Sequence, residues 1–589
     1  MDTKPHDGPT TALAVERVAL LCVILATALT QLVKVAPTDV GWQLATAEWA
    51  EKTRHWPATN TFSHTHPDYP LYQQYPALQA ALLAAKRWGG WEAISVLQAL
   101  SWTVALLAWI RFAGSWRLAC QLAPAWALVL YAVHTRRSGF RPEALTLLLV
   151  ACQLWMQDRY RRATEAKARL AWALALVPLT ALWANCHQMF ALGLILQGVL
   201  VAHVLAARHG PSRLLARDDA AVPIGPLLIA FVLSLGACLA TPLGLAIVDV
   251  PLNMLASTRQ FRHLPGHPAE MASILSSPLA TGLVAGWIVL ALLALRRPPY
   301  AFRELCLLAL GAMLVAPAVR GLSFCAFLAT AAFSRMAGAT TIARLDGPRG
   351  RTARALASAL AIGASASLAL EWYSPAGRRV LTSPQPGIGR HDAGWPDRTV
   401  AFLAAHRPPG PMLNLSWSSG NWLIPGLLPA PGVFIDARVE SYPRDFLALY
   451  LAAASQREAL RTLLDQYRPG WIVADLDYAP TRRRLAELVR EGTWAVVFAE
   501  PIAAVLVARG PASADYVARH ELRLEALAFD DPVFAALEPD LAALQRLQAA
   551  SFLRGLGQVR RARELVDRAR PEALRYPNVA QALARWEAE

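Results

Sequence analysis

The feature that most constrains this chain is a succession of long apolar runs, separated by short charged stretches, that continues to about residue 371. Runs of roughly 20 apolar residues match the hydrocarbon thickness of a bilayer. Many such runs in one chain can satisfy their backbone polar groups in lipid only as a bundle of spanning helices. Only 17% of the 589 residues are charged, against about 25% in a soluble domain. The sequence therefore predicts a polytopic α-helical membrane protein with about eleven spans. They fall at 13–33, 91–110, 118–134, 142–156, 170–185, 187–206, 221–245, 274–295, 304–319, 321–338 and 354–371. The first is read as an uncleaved span, because no cationic start or clean cleavage site accompanies it.

The loops alternate in character. One set is short and basic: Arg111 and Arg117; Arg159, Arg161, Arg162, Lys167 and Arg169; Arg208, Arg213 and Arg217; Arg296, Arg297 and Arg303; Arg335 to Arg354. The positive-inside rule places this set, with the N-terminus, in the cytoplasm. An odd number of spans then puts the C-terminal region outside. The net charge of +15 is thus assigned to topology, and nucleic acid is not an expected partner. The seven cysteines lie in or beside apolar segments without a C-x-x-C, which argues against disulfides and structural zinc.

The outward set comprises 34–90, the turn 134–141, the break near Asn185–Gln188, the stretch 246–273 and the break at Arg320. Within it, 73–88 is apolar only in its middle and reads as an amphipathic helix lying in the interface. After residue 371 the charges spread evenly. A Pro/Gly/Arg-rich linker at 372–396 leads to a β/α alternation over 397–510, read as a small extracytoplasmic α/β domain. Its strands are expected at 411–415, 433–436, 471–476, 494–499 and 503–507, and its helices at 397–406, 444–467 and 481–491. Residues 511–589 read as a helical, repeat-like tail able to hold a protein partner.

Several outward residues carry chemistry. Asp39 follows the first span: a carboxylate there can act as a general base or cap the helix that Trp42 begins. The turn His134 to Arg141 holds three arginines, Arg137 and Arg141 among them, on the face where arginine is unfavoured. They fit a phosphate ligand or snorkel to lipid head groups. Arg320 lies between two apolar runs, where a lone charge is paired or functional. Asn185 and His187 interrupt another run; the imidazole can hold a phosphate, move a proton or simply be hydrogen-bonded in place. His64 and His66 lack a third ligand at metal spacing. No metal or cofactor is expected. Asp436 and Arg438, at a strand end, fit a substrate contact or a structural ion pair. Asn414-Leu415-Ser416 matches a glycosylation sequon, but within a buried strand.

These positions form an ordered pattern. It runs Asp39-x-x-Trp42-Gln43-Leu44-Ala45-Thr46-x-Glu48-Trp49, then Pro57-x-x-Asn60-Thr61-Phe62-Ser63-His64-Thr65. Phe140-Arg141-Pro142-Glu143, Trp183-Ala184-Asn185-Cys186-His187, Thr241-Pro242-x-Gly244 and Arg320 follow. Ser419-Gly420-Asn421-Trp422-Leu423-Ile424 and Val433-Phe434-Ile435-Asp436-Ala437-Arg438 complete it. Over roughly 13–508 this resembles a bacterial branch of the GT-C-type glycosyltransferase superfamily. The resemblance implies a membrane core whose first outer loop carries a catalytic carboxylate, here Asp39. It implies a sugar donor on a polyprenyl-phosphate carrier and an acceptor, lipid-linked glycan or protein, outside the cytoplasm. Arg141, His187 and Arg320 would cradle the lipid phosphate. The chain has Gln43 where the group often has His, and Gln73-Gln74-Tyr75 where it has His-Glu-Trp. Two other readings stay open: a transporter of a lipid-linked or anionic substrate, and an inactive GT-C-like scaffold of the cell envelope.

Overall fold

The computed structural model describes residues 8–588 apart from 73–74, 135–139, 212, 262–272, 296–299, 345–346, 375–384, 428–431, 528, 530 and 536. Arg137, Gln73 and Gln74 lie outside the described residues.

The first two-thirds is helical. Helix α1 (Gly8–Gln31) is followed by α2 (Val40–Thr53) and by α3 (Pro76–Ala113). Next come α4 (Trp116–Gln121), α5 (Ala123–His134), α6 (Glu143–Arg162), α7 (Ala166–Leu174), α8 (Leu176–Ala184) and α9 (Ala191–His209). Then follow α10 (Gly225–Ala237), α11 (Asp249–Phe261), α12 (Pro278–Ala294), α13 (Phe302–Val315), α14 (Leu322–Arg344) and α15 (Pro348–Tyr373).

Four stretches are long and apolar enough to cross a membrane: Leu13–Gln31, Pro76–Ala113, Gln188–His209 and Arg349–Tyr373. Four apolar helices of 10–17 residues accompany them. Large aliphatic side chains on α1, α10, α12 and α15, among them Leu25, Val232, Leu292 and Leu360, face outward instead of into the core. Such surfaces suit contact with lipid, since soluble proteins rarely expose contiguous apolar faces of this kind. The chain is built as a membrane protein.

Not every expected span is one unbroken helix. Residues 118–134 divide between α4 and α5, and 170–185 between α7 and α8. The run at 221–245 yields a helix of only 13 residues. The long helix α3 breaks at Gly89–Gly90, where Gly90 has φ +67°. That break lies between the segment read as interfacial and the one read as spanning.

Each end of the bundle holds its own cluster of paired charges. Arg303, read from sequence as a loop cation, is fully buried. Its guanidinium donates to Asp158 Oδ1 at 2.7 Å and to Glu304 Oε1 at 2.9 Å. Arg335 donates to the same two carboxylates. Arg161 and His203 share Asp219. Removing one partner of such a cluster leaves an uncompensated buried charge, which costs about 3–5 kcal/mol. The cluster ties α6, α9, α13 and α14 together at one end. Glu143 lies 15 residues from Asp158 on α6, about 22 Å along the axis at 1.5 Å per residue, so it stands at the opposite end.

The C-terminal α/β domain, expected from sequence to lie outside and labelled the outer domain for that reason, holds α16 (Asp397–Ala405), β1 (Met412–Asn414), α17 (Gly420–Leu427), α18 (Arg444–Ala453), α19 (Arg457–Tyr467), β2 (Trp471–Asp475), α20 (Ala479–Arg490), β3 (Trp494–Glu500) and β4 (Ala503–Ala508). The sheet order is β1-β2-β4-β3, with β1 and β2 parallel and the other pairs antiparallel. Residues 433–436 form no strand. Their backbone is held by the Asn414 side chain, which accepts from Phe434 N and Ile435 N and donates to Ile435 O. Asn414 is fully buried, so this sequon offers no accessible amide. The stretch expected as a linker is packed where it is described: Val33 and Val35 bridge to Pro386 and Arg390.

The tail contributes α21 (Ala514–His520), α22 (Asp531–Ala535), α23 (Pro539–Gly555), α24 (Val559–Ala573) and α25 (Pro577–Ala588). Leu541, Leu544 and Phe552 share one hydrophobic core with Leu485, Leu488 and Val496 of the α/β domain. A second core joins Val40, Trp42, Leu44, Phe62 and Tyr75 of the first loop to Trp422, Val473 and Val505 of the sheet domain. The outer domain is therefore seated on the loop that carries Asp39.

Candidate active site

Asp39 stands immediately before α2, in helical backbone geometry, and its side chain makes no capping bond. It faces Arg141 instead: Arg141 Nε lies 3.9 Å from Asp39 Oδ2. Both side chains are about a quarter exposed. Arg141 is held there because Pro142 follows it and α6 begins at Glu143. The pair lines a cleft of about 190 Å³ whose other walls include Pro37, Thr38, Asn421, Trp417, Ser418 and Asp475.

Beside this pair, Arg320 Nε lies 4.0 Å from Oε1 of the buried Glu143. Arg320 occupies a single 3-10 turn, Val319–Gly321, between α13 and α14. A Cβ on Gly321 would fall 1.9 Å from Leu314 O, so the turn closes only over glycine. His187 Nδ1 is 2.6 Å from Thr146 Oγ1, and its ring meets Tyr75 edge-on at 5.8 Å. His187 lies within electrostatic reach of Glu143 and Arg320. Tyr75 lies within reach of Glu440, Arg320, Asp39 and Glu143. Two guanidinium groups, an imidazole and a phenol thus gather at the end of the bundle that bears Asp39. Fork-shaped donors of this kind match the oxygens of a phosphate.

Trp42 and Gln43 are buried on α2, Trp42 with its ring 6.2 Å from that of Tyr75. The Gln43 Oε1 is buried with no hydrogen-bond partner among the described residues. The remaining candidates lie elsewhere or are committed to structure. Asn185 donates to Ala181 O and Ala240 O, tying the end of α8 to the segment after α10. His64 sits 2.8 Å from Met412 O, and burial lowers its pKa. Glu48 lies within electrostatic reach of Arg87, away from the cleft. Asp436 and Arg438 form a fully buried ion pair at 2.6 Å, and Arg438 also donates to Asn60 Oδ1. They pin the outer domain to the first loop and do not reach the cleft.

The sequence reading passed over Asp475, Asp477, Ser418 and Glu440. Asp475 and Asp477 close a buried apolar strand, and an Asp-x-Asp at that position was the visible signal. Asp475 Oδ2 accepts from Ser418 Oγ at 2.9 Å, and Oδ1 from Trp422 Nε1 at 3.1 Å. Burial, with Asp477 adding to it, pushes the Asp475 carboxyl up to about 7. Glu440, on a short turn, had no sequence signal. Among the described residues no three His, Cys, Asp or Glu side chains could hold a metal.

No family profile matches the sequence, and no curated protein sequence matches it. Solved structures do. The chain is similar to the archaeal oligosaccharyltransferase AglB from Archaeoglobus fulgidus in complex with an inhibitory peptide and a dolichol-phosphate, at 11% identity and a TM-score of 0.47, over 81% of this chain and 72% of that one. It is similar to the Archaeoglobus fulgidus oligosaccharyltransferase in the apo form, at 11% identity and a TM-score of 0.48, over 84% and 74%. It is also similar to ArnT from Cupriavidus metallidurans bound to undecaprenyl phosphate, at 12% identity and a TM-score of 0.47, over 85% of this chain and 98% of that one.

Proposed function

We propose that this protein is a GT-C-type membrane glycosyltransferase. It moves a sugar from a polyprenyl-phosphate carrier to an acceptor outside the cytoplasm, in a bacterial inner membrane, with the basic end of the bundle inside and the outer domain in the periplasm. The observation that carries the reading is the pairing of Asp39 with Arg141 in a cleft, with Arg320, Glu143 and His187 beside it. The ordered motifs from the first loop to the outer domain, which include these residues, support it as well.

In this reading the donor phosphate lies against Arg141, Arg320 and His187, and the lipid runs along the apolar bundle. An acceptor hydroxyl attacks the anomeric carbon, the bond from that carbon to the phosphate oxygen breaks, and the proton passes to Asp39. Charge grows on the leaving phosphate as the bond breaks, so fixed cations stabilise the transition state more than the ground state. The ion pair with Arg141 holds the Asp39 carboxylate in place.

The test is mass spectrometry of glycolipids and glycans from cells carrying wild type, a deletion or Asp39→Asn at matched expression. A sugar-bearing product missing from both variants, with its polyprenyl-phosphate donor accumulating, is the expected result. A product lost in the deletion but intact in Asp39→Asn would overturn the assignment of Asp39.

A further inference from the structure

The walls of the cleft come from two parts of the chain. Asp39 and Arg141 belong to the membrane region, whereas Trp417, Ser418, Asn421, Trp422, Asp475 and Asp477 belong to the outer domain. The outer-domain residues follow the carboxyl ends of the parallel strands β1 and β2, where open α/β sheets commonly bind ligands. Asp475 is fixed in orientation by Ser418, which donates to Oδ2, and by Trp422, which donates to Oδ1, with the Ser416 hydroxyl also in hydrogen-bonding reach. A carboxyl group has about four acceptor positions, so it retains capacity for a further donor.

Asn421 supplies a second, separate observation. It is 3% exposed. Its Oδ1 is buried and has no hydrogen-bond partner among the described residues, although its Nδ2 donates to Pro37 O. A buried acceptor left unsatisfied costs about 1–3 kcal/mol, and a ligand that brings a donor removes that cost. The outer wall therefore offers acceptors: the Asn421 carbonyl and the carboxyl groups of Asp475 and Asp477. The half-buried indole of Trp417 flanks them, whereas Trp422 is 3% exposed and packs in the core behind. Such a wall repels a phosphate or carboxylate, and it suits a neutral polyol that lays an apolar ring face on an indole and points its hydroxyls at acceptors.

We propose that Asn421 and Asp475 form the acceptor subsite, and that they bind the hydroxyl groups of a neutral sugar residue so that its nucleophilic hydroxyl faces Asp39. This rests on the glycosyltransferase reading for its direction of transfer, but the binding it describes can be measured without transfer. The donor's phosphate is held by the arginines of the membrane region, and the acceptor by the outer domain.

The experiment uses the full-length protein in lipid nanodiscs and follows tryptophan fluorescence during titration with the methyl glycosides of glucose, galactose, mannose and N-acetylglucosamine. Glucose 6-phosphate is the anionic control. At least one neutral glycoside is expected to bind saturably, and the phosphorylated sugar is not. Asp475→Asn and Asn421→Leu are expected to weaken that binding about 10- to 100-fold, the range for losing hydrogen bonds to charged or buried groups. A thermal melt of each variant checks that it is folded. Asp477→Asn provides a second carboxylate variant should Asn421→Leu fail to fold. No saturable binding by any of the four glycosides, or binding indifferent to Asp475→Asn in a folded protein, overturns the proposal. Glycoside binding without any glycosyl product in cells overturns the glycosyltransferase reading and leaves the subsite standing. A product that forms while binding ignores the substitutions does the reverse.

Discussion

Arg320 Nε stands 4.0 Å from Glu143 Oε1, and Glu143 is almost wholly buried. The guanidinium thus balances a carboxylate that water does not reach, while keeping a quarter of its own side chain open. Arg320→Gln is expected to weaken polyprenyl-phosphate binding about 10- to 100-fold, the loss typical of a charge-assisted hydrogen bond. It is also expected to lower the melting point, because Glu143 loses its counter-charge. Native mass spectrometry against undecaprenyl phosphate reads the first effect, and a thermal melt the second. Unchanged lipid affinity would remove Arg320 from the donor site.

Asp39→Asn removes the carboxylate but keeps its shape. If Asp39 takes the acceptor's proton, the rate of transfer falls about 10²- to 10⁴-fold, the usual contribution of a positioned base. Donor binding should change little. Single-turnover transfer together with lipid affinity separates the two quantities.

Gly41 lies two residues beyond Asp39, and a Cβ there would fall 1.7 Å from the backbone oxygen of Asn421. That oxygen belongs to α17, on the other wall of the cleft. Gly41→Ala must push the outer domain off α2, an overpacking that typically costs about 1–3 kcal/mol. Limited proteolysis should then cut more readily near 385–396, and transfer should fall although no chemical group has been removed. Wild-type protease resistance in the variant would refute the close seating.

Asp475 gives a pH dependence of known sign. Its carboxyl moves from 3.8 to about 7 on folding, chiefly through burial and secondly through Asp477. Asp39 and Arg141 face the same cleft. The folded protein keeps a proton that the unfolded chain has already released. The associated stability is fully present below about pH 4 and lost as pH rises through about 7. Asp475→Asn should therefore melt at the wild-type temperature at pH 4 and above it at pH 8. Equal melting points at both pH values would place Asp475 in a more solvated setting.

The membrane class was legible because apolar run length is a direct requirement of the bilayer. The break at Gly89–Gly90 was legible too, since the segment before it is apolar only in its middle. The strands around 412–414, 471–475, 494–500 and 503–508 show as short β-branched or aliphatic runs. Residues 433–436 show the same pattern and form no strand, because the Asn414 side chain takes the hydrogen bonds that a neighbouring strand would supply. Run length likewise did not reveal that Arg303 turns inward: a cation beside an apolar run looks like a loop residue until its partner Asp158, distant in sequence, is known. At the cleft, Asp39 and Arg141 could be picked out by position relative to the spans. Asn421 and Asp475 could not be joined to them, since only tertiary packing brings the first loop and the sheet domain together.

The contact between Gly41 and Asn421 also bears on how the molecule is made. A ribosome emits the first loop long before the strand that ends in Asp475, so the half-cleft around Asp39 has to wait, open, for most of synthesis. Only when α17 has settled over α2 and the strand that ends in Asp475 is in place does the cavity acquire its second wall. A truncated or stalled chain would therefore carry the charged residues of the membrane half without a finished pocket around them. Such a fragment holds Asp39 and Arg141 without the wall that Asn421 and Asp475 supply.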